Sequence, residues 1–176
     1  MEFSAKLPKF LKNASYNNPE DKENSPWKFT TGNDLAYFDW VFQPGNEYQA
    51  QAFHNHMEFK TLSKKLHETV PVEEILGNST NEDIVLLVDV GGNTGLDTVR
   101  FHQAWSKLPG KRIVQDLPAT IDTLDRDQLK PIEVMGHNFF TEQPVKGAGA
   151  YYLKMVLHDW PDKQAKEILS NLEAAL

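Results

Sequence analysis

Cysteine is absent from all 176 residues, which excludes disulfides, thiolate metal sites and a cysteine nucleophile together. No apolar run approaches the ~18 residues of a membrane span, and the amino-terminal stretch lacks the apolar core of a signal peptide. A clustered basic stripe is missing too. The formal charge is −7 and the two signs are interspersed, so neither nucleic acid nor membrane is an expected partner. Histidine offers no metal set, because His54 and His56 stand two apart and do not share a helical face. What remains, with an apolar share of 40%, is the composition of an ordinary soluble domain, expected to be cytoplasmic.

Along the chain, three segments differ in character. Residues 1–26 read as weakly structured, since Lys12 to Pro26 is almost wholly polar and rich in breakers. Residues 27–83 are expected to be aromatic-rich and helical. Trp27 to Phe42 packs six aromatics into sixteen residues, suited to core packing, a partner, or a pocket for a flat ligand. A helical pattern runs from Glu47 to about Thr69 with Phe53, Met57 and Leu66 on one face, and Pro71 to Gly77 frames a short helix. Residues 84–176 form the third segment.

That segment opens on Ile84-Val85-Leu86-Leu87-Val88, an apolar run that reads as a strand buried on both faces. Asp89 and the turn Gly91-Gly92-Asn93-Thr94-Gly95 come next, then a helical pattern from Leu96 to Leu108. Further strands are expected at Lys111–Asp116, Ile132–Met135 and Ala150–Leu153, with a closing helix after Pro161. The order predicts an α/β fold: a partial Rossmann-like sheet of about four parallel strands, preceded by a helical segment.

Three features at the carboxyl edge of this sheet could carry chemistry. Gly91, Gly92 and Gly95 lack Cβ atoms where a strand turns into a helix, which lets a ligand approach the backbone. The G-G-x-x-G spacing is neither the dinucleotide fingerprint nor a P-loop. Asp116 closes the neighbouring strand, from where a carboxylate can accept both hydroxyls of a ribose. His158 lies just beyond the fourth strand, placed to act as a general base. Asp159 has two readings, a partner in that chemistry or an N-cap for the last helix.

Taken together, LLVDVGGNTG, IVQDLP and MGHNFFTEQPVKGAGAYYLKMVLHDWPD resemble the plant-type S-adenosylmethionine-dependent O-methyltransferases in their fungal form. The likeness is ordered over Ile84 to Leu176. It implies a class I methyltransferase sheet with S-adenosyl-L-methionine as cofactor and a small, aromatic hydroxyl compound of secondary metabolism as acceptor. By position, Gly91 and Gly92 face the methionine part, Asp116 with Leu117 holds the ribose, Asn138 and Phe139 flank the adenine, and Lys154 is a basic cofactor contact. His158 is the implied base, with Asp159 beside it, and no metal is needed.

Three departures from the family pattern stand out. Asn93 replaces a third glycine, Asn138 replaces an acid, and the family continues with three more strands and with carboxylates that steady the histidine. The rival reading is therefore a truncated, non-catalytic or repurposed relative, such as a regulatory partner or a cyclase. With the fourth strand left as an apolar edge, a homodimer or another protein partner is expected.

Overall fold

Strand β1 (Val85–Val90) is buried from Leu86 onward and lies inside a four-stranded sheet of order β3-β2-β1-β4. The computed structural model describes residues 2–60, 65–77 and 81–176. The partners of β1 are β2 (Lys111–Asp116) and the short β4 (Tyr151–Tyr152), while β3 (Glu133–Gly136) pairs with β2. Every pairing is parallel. A parallel sheet must be covered on both faces. One apolar cluster joins Leu86, Leu87 and Phe101 to Val72 and Leu76, and a second joins Val88, Val90 and Ile113 to Val145 and Leu172. This is the expected α/β arrangement.

The helices ahead of the sheet are α1 (Glu2–Asn13), α2 (Pro26–Thr31), α3 (Tyr37–Val41), α4 (Glu47–Lys60), α5 (Leu66–Thr69) and α6 (Val72–Leu76). Within and after it come α7 (Leu96–Ala104), α8 (Pro118–Ile121), α9 (Arg126–Leu129) and α10 (Asp162–Glu173). The weak structure expected for residues 1–26 gives way to α1 and a 3-10 turn at Lys22–Asn24. Leu7, Phe10, Leu11 and Ala14 recur at helical spacing and face inward to varying degrees. Phe10 packs on Phe29 with ring centroids 5.5 Å apart, and Lys6 Nζ donates to the Thr30 carbonyl at 2.8 Å. Tertiary cover thus offsets the ordering entropy that the polar stretch after α1 cannot.

Other element ends moved, with β3 at Glu133–Gly136 in place of Ile132–Met135 and β4 at Tyr151–Tyr152 in place of Ala150–Leu153. The helix expected to reach Leu108 stops at Ala104, because the buried Arg112 reaches back from β2. Its guanidinium donates to the carbonyls of Trp105, Leu108 and Gly110 at 3.0, 2.7 and 2.6 Å, capping groups that another helical turn would have paired. Helix α9 was not expected. Asp125 caps it by accepting from the amides of Asp127 and Gln128. The helical run expected to Thr69 crosses residues 61–64, and the polar linker includes residues 78–80; both stretches lie outside the described residues.

Candidate functional site

The glycine turn folds back over β2. Gly91 and Gly92 both donate their N–H groups to the Gln115 carbonyl, at 2.8 and 2.9 Å. A Cβ on Gly92 would stand 2.8 Å from the Asp89 carboxyl carbon and 2.9 Å from Val114 Cγ1, and one on Gly91 would stand 2.8 Å from Val156 Cγ2. Close packing within the chain therefore requires both glycines, apart from any ligand. Asn93 takes a left-handed conformation, φ 50°, which asparagine tolerates better than most residues. Its N–H donates to Asp116 Oδ2 at 2.9 Å and ties the turn to the end of β2.

Asp116 Oδ1 accepts from the Leu117 N–H at 2.8 Å, so each carboxylate oxygen has one backbone donor and a lone pair to spare. Burial pushes its carboxyl pKa up, opposed by those two N–H groups, by the Thr120 hydroxyl and by the field of His54. His54 comes from α4, with its ring 5.7 Å from that of Phe42, and its buried Nε2 has no partner. Desolvation lowers the His54 pKa, opposed by the charge of Asp116. Below the turn, the buried Asp89 accepts from the Thr98 hydroxyl at 2.7 Å. Burial raises its carboxyl to about 7 despite that hydrogen bond.

The other positions expected to face a cofactor divide. Phe139 lies near Gly91, its ring atom 3.8 Å from where a glycine Cβ would be. Asn138 spends its amide oxygen on the Phe140 N–H at 3.0 Å, an Asx turn that stiffens the loop. Lys154 is engaged as well: Nζ sits 2.8 and 3.0 Å from the two carboxylate oxygens of Asp97.

His158 stands in a 3-10 turn, Leu157–Asp159, reached through Met155 at φ 57°. Its Nε2 is 3.1 Å from Asp159 Oδ1. Helix α10 takes Pro161 as its N-cap, with no side-chain cap bond, so the capping reading of Asp159 is replaced by the pairing with His158. Both residues line a cleft of about 1510 Å³. Opposite them stand Trp27, Tyr37 and Phe38, with Phe53 and Met57 from α4 and Trp160 from the histidine loop. Trp27 packs against Tyr37 at 5.1 Å and Trp40 at 4.9 Å, and its ring N–H donates to the Leu35 carbonyl. Burial, and then the charge of Asp159, raise the Tyr37 phenol pKa, so it stays a hydrogen-bond donor. The aromatic segment packs on itself and walls the histidine's cleft at once.

Asp116, Leu117, the glycine turn and Phe139 thus gather along one edge, and His158 with Asp159 faces the adjoining cleft. Sequence reasoning missed His54, Tyr37 and Asp97. The signals were slight: a histidine beside the apolar stripe of α4, one ring among six, and an acid in the first turn of α7. No cluster of metal-binding side chains occurs among the described residues, and none of their helices is long and apolar enough to cross a membrane.

Known proteins share this architecture. The demethylsterigmatocystin 6-O-methyltransferase of Aspergillus flavus is 34% identical over 170 residues, a match covering 97% of this chain and 43% of that protein. The structure of LepI in complex with SAM superposes with a TM-score of 0.83 at 32% identity, covering 99% of this chain and 45% of LepI. OxaC in complex with SAH and oxaline gives 0.84 at 27% identity, with 100% and 45% covered. The chain spans less than half the length of these relatives. The family model of the O-methyltransferase domain matches residues 21–176, and the chain belongs to that family.

Proposed function

We propose that this chain supplies the cofactor edge and the base of an S-adenosylmethionine-dependent O-methyltransferase acting on a small, aromatic hydroxyl compound of secondary metabolism. The observation that carries the reading is the His158–Asp159 pair, in one cleft with an aromatic wall. The residues present fit the cofactor. Asp116 offers carboxylate lone pairs for the ribose hydroxyls, and Leu117 and Phe139 offer apolar walls. Across from Asp116, the orphaned His54 Nε2 leaves polar capacity for a bound group. When bound, S-adenosylmethionine supplies an already activated methyl group.

The protein's tasks are then alignment and proton removal. With His158 Nε2 3.1 Å from Asp159 Oδ1, a proton carried on Nε2 would leave the lone pair on Nδ1 to take the acceptor's hydroxyl proton. Tyr37 and the tryptophans hold a flat acceptor by ring packing. The test is methyl transfer from labelled cofactor to a panel of phenols. His158→Ala should lower the rate by about 10²–10⁴-fold with binding of S-adenosylhomocysteine kept; an unchanged rate sinks the assignment.

Asn138 favours a second reading, because its neutral amide stands where the family pattern has an acid and offers a bound adenine no negative charge. A repurposed relative would bind the cofactor and transfer no methyl group; a neighbour at a TM-score of 0.84 is described as a pericyclic reaction enzyme. Calorimetric binding without transfer to any phenol selects it. Among the described residues, strand β4 pairs with β1 alone and forms one edge of the sheet, and we extend the proposal to a homodimer or another protein partner on that edge. Light scattering that finds a stable monomer removes this part.

A further inference from the structure

We propose that Asp97 is a positioning residue. By holding Lys154 it fixes the loop that carries His158 over the glycine turn, and Lys154 is a strut, not a contact to the cofactor. The inference rests on the reading of His158 as the base for its consequence, but its geometry stands alone. Asp97 is the second residue of α7, directly after the glycine turn, whereas Lys154 comes after β4 and precedes His158 by four residues. The ammonium meets both carboxylate oxygens, at 2.8 and 3.0 Å, and the two side chains are only 19% and 10% exposed. A pair so withdrawn from water is costly to break, since each partner would be left charged and poorly solvated.

The loop beyond Lys154 needs such an anchor. Met155 adopts φ 57°, a left-handed conformation that an unbranched, non-glycine side chain holds only when both flanks are fixed. Val156 then presses on the turn, its Cγ2 lying 2.8 Å from the point where a Cβ of Gly91 would be. On the far side, the Trp160 ring packs at 4.7 Å on Phe140, 5.9 Å on Phe139 and 6.2 Å on Phe38. His158 lies between a charged anchor and an aromatic one. Removing the first leaves the loop hinged on the second.

The experiment compares Asp97→Asn, Lys154→Met, the double variant and Lys154→Arg. Three readouts are taken: Tm, calorimetric affinity for S-adenosylhomocysteine, and the ring proton resonance of His158, assigned by its loss in His158→Gln. Each neutral single variant should lower Tm by about 5 °C and weaken binding about tenfold, the double being no worse than either. Lys154→Arg, which can restore a two-pronged pair, should recover most of both, and the His158 resonance should shift in the neutral singles and in the double but not in Lys154→Arg. If Asp97→Asn binds as well as the parent or better while Lys154→Met loses binding, Lys154 is a cofactor contact and the proposal is overturned. Additive effects in Tm overturn it too. Should the parent chain bind no S-adenosylhomocysteine, the cofactor reading fails on its own, and the Tm cycle with the His158 resonance still decides the strut.

Discussion

The glycine edge and the aromatic wall meet at His158, yet they are held by different physics. At the edge, nearly every contact is directional: Gly91 and Gly92 on the Gln115 carbonyl, Asn93 and Leu117 on Asp116, Thr98 on Asp89, Lys154 on Asp97. The wall is mostly ring on ring, Trp27, Tyr37, Phe38 and Phe53 at centroid distances of 5.1 to 6.1 Å, with one tryptophan N–H bond at its margin. Directional contacts tolerate few substitutions, whereas ring packing constrains shape and little else. The family match, residues 21–176, takes in both regions.

The sharpest way to break the edge is Gly92→Ala. The new methyl meets the Asp89 carboxylate and Val114 together, and a loss of about 3 kcal/mol in unfolding free energy is expected by denaturant titration. The matching break in the wall is Trp27→Ala. With three neighbouring contacts gone, about 2–3 kcal/mol is expected, together with a reduced near-UV circular dichroism signal. If the regions are as separable as their contacts, this variant still binds S-adenosylhomocysteine within about threefold of the parent.

A smaller effect comes from Asp89. Its carboxyl is raised from 3.8 to about 7, so across that interval the folded chain keeps a proton that the unfolded chain has lost. Stability therefore falls as pH rises through that window and levels off above it. Asp89→Asn removes the fall: between about pH 5 and pH 8 the parent should lose about 2 kcal/mol relative to the variant, read from paired thermal melts. An identical pH slope in both proteins places the proton elsewhere. The mildest change is Asp116→Asn. It should cost about tenfold in S-adenosylhomocysteine affinity, since charge-assisted bonds to hydroxyls become neutral ones. One of the Asn93 and Leu117 N–H groups then faces an NH2 in place of its oxygen, so Tm should fall as well, by a few degrees.

The sheet was legible because its signals are local. Five apolar residues from Ile84, an acid closing β2 and glycines at a sharp turn each constrain the chain where they stand. The helical ends were less so. Arg112 stopped α7 from the neighbouring strand, and Phe10 ordered α1 through a contact with Phe29, effects that no window along the sequence contains. At the site the same division holds. His158 and Asp116 were visible from their places after strands, but Asp159 was open between cap and partner until α10 began at Asp162 with Pro161 before it.

By itself, the sequence determined the parallel α/β sheet, the family and which side chains stand on the carboxyl edge, because strand periodicity and turn chemistry act over a few residues. Tertiary structure alone decided that Lys154 is engaged by Asp97, that Asn138 spends its oxygen on its own loop, and that the aromatic segment walls the cleft of His158. Those are choices among partners, and a side chain's partner is set by elements distant in the chain that packing brings within reach.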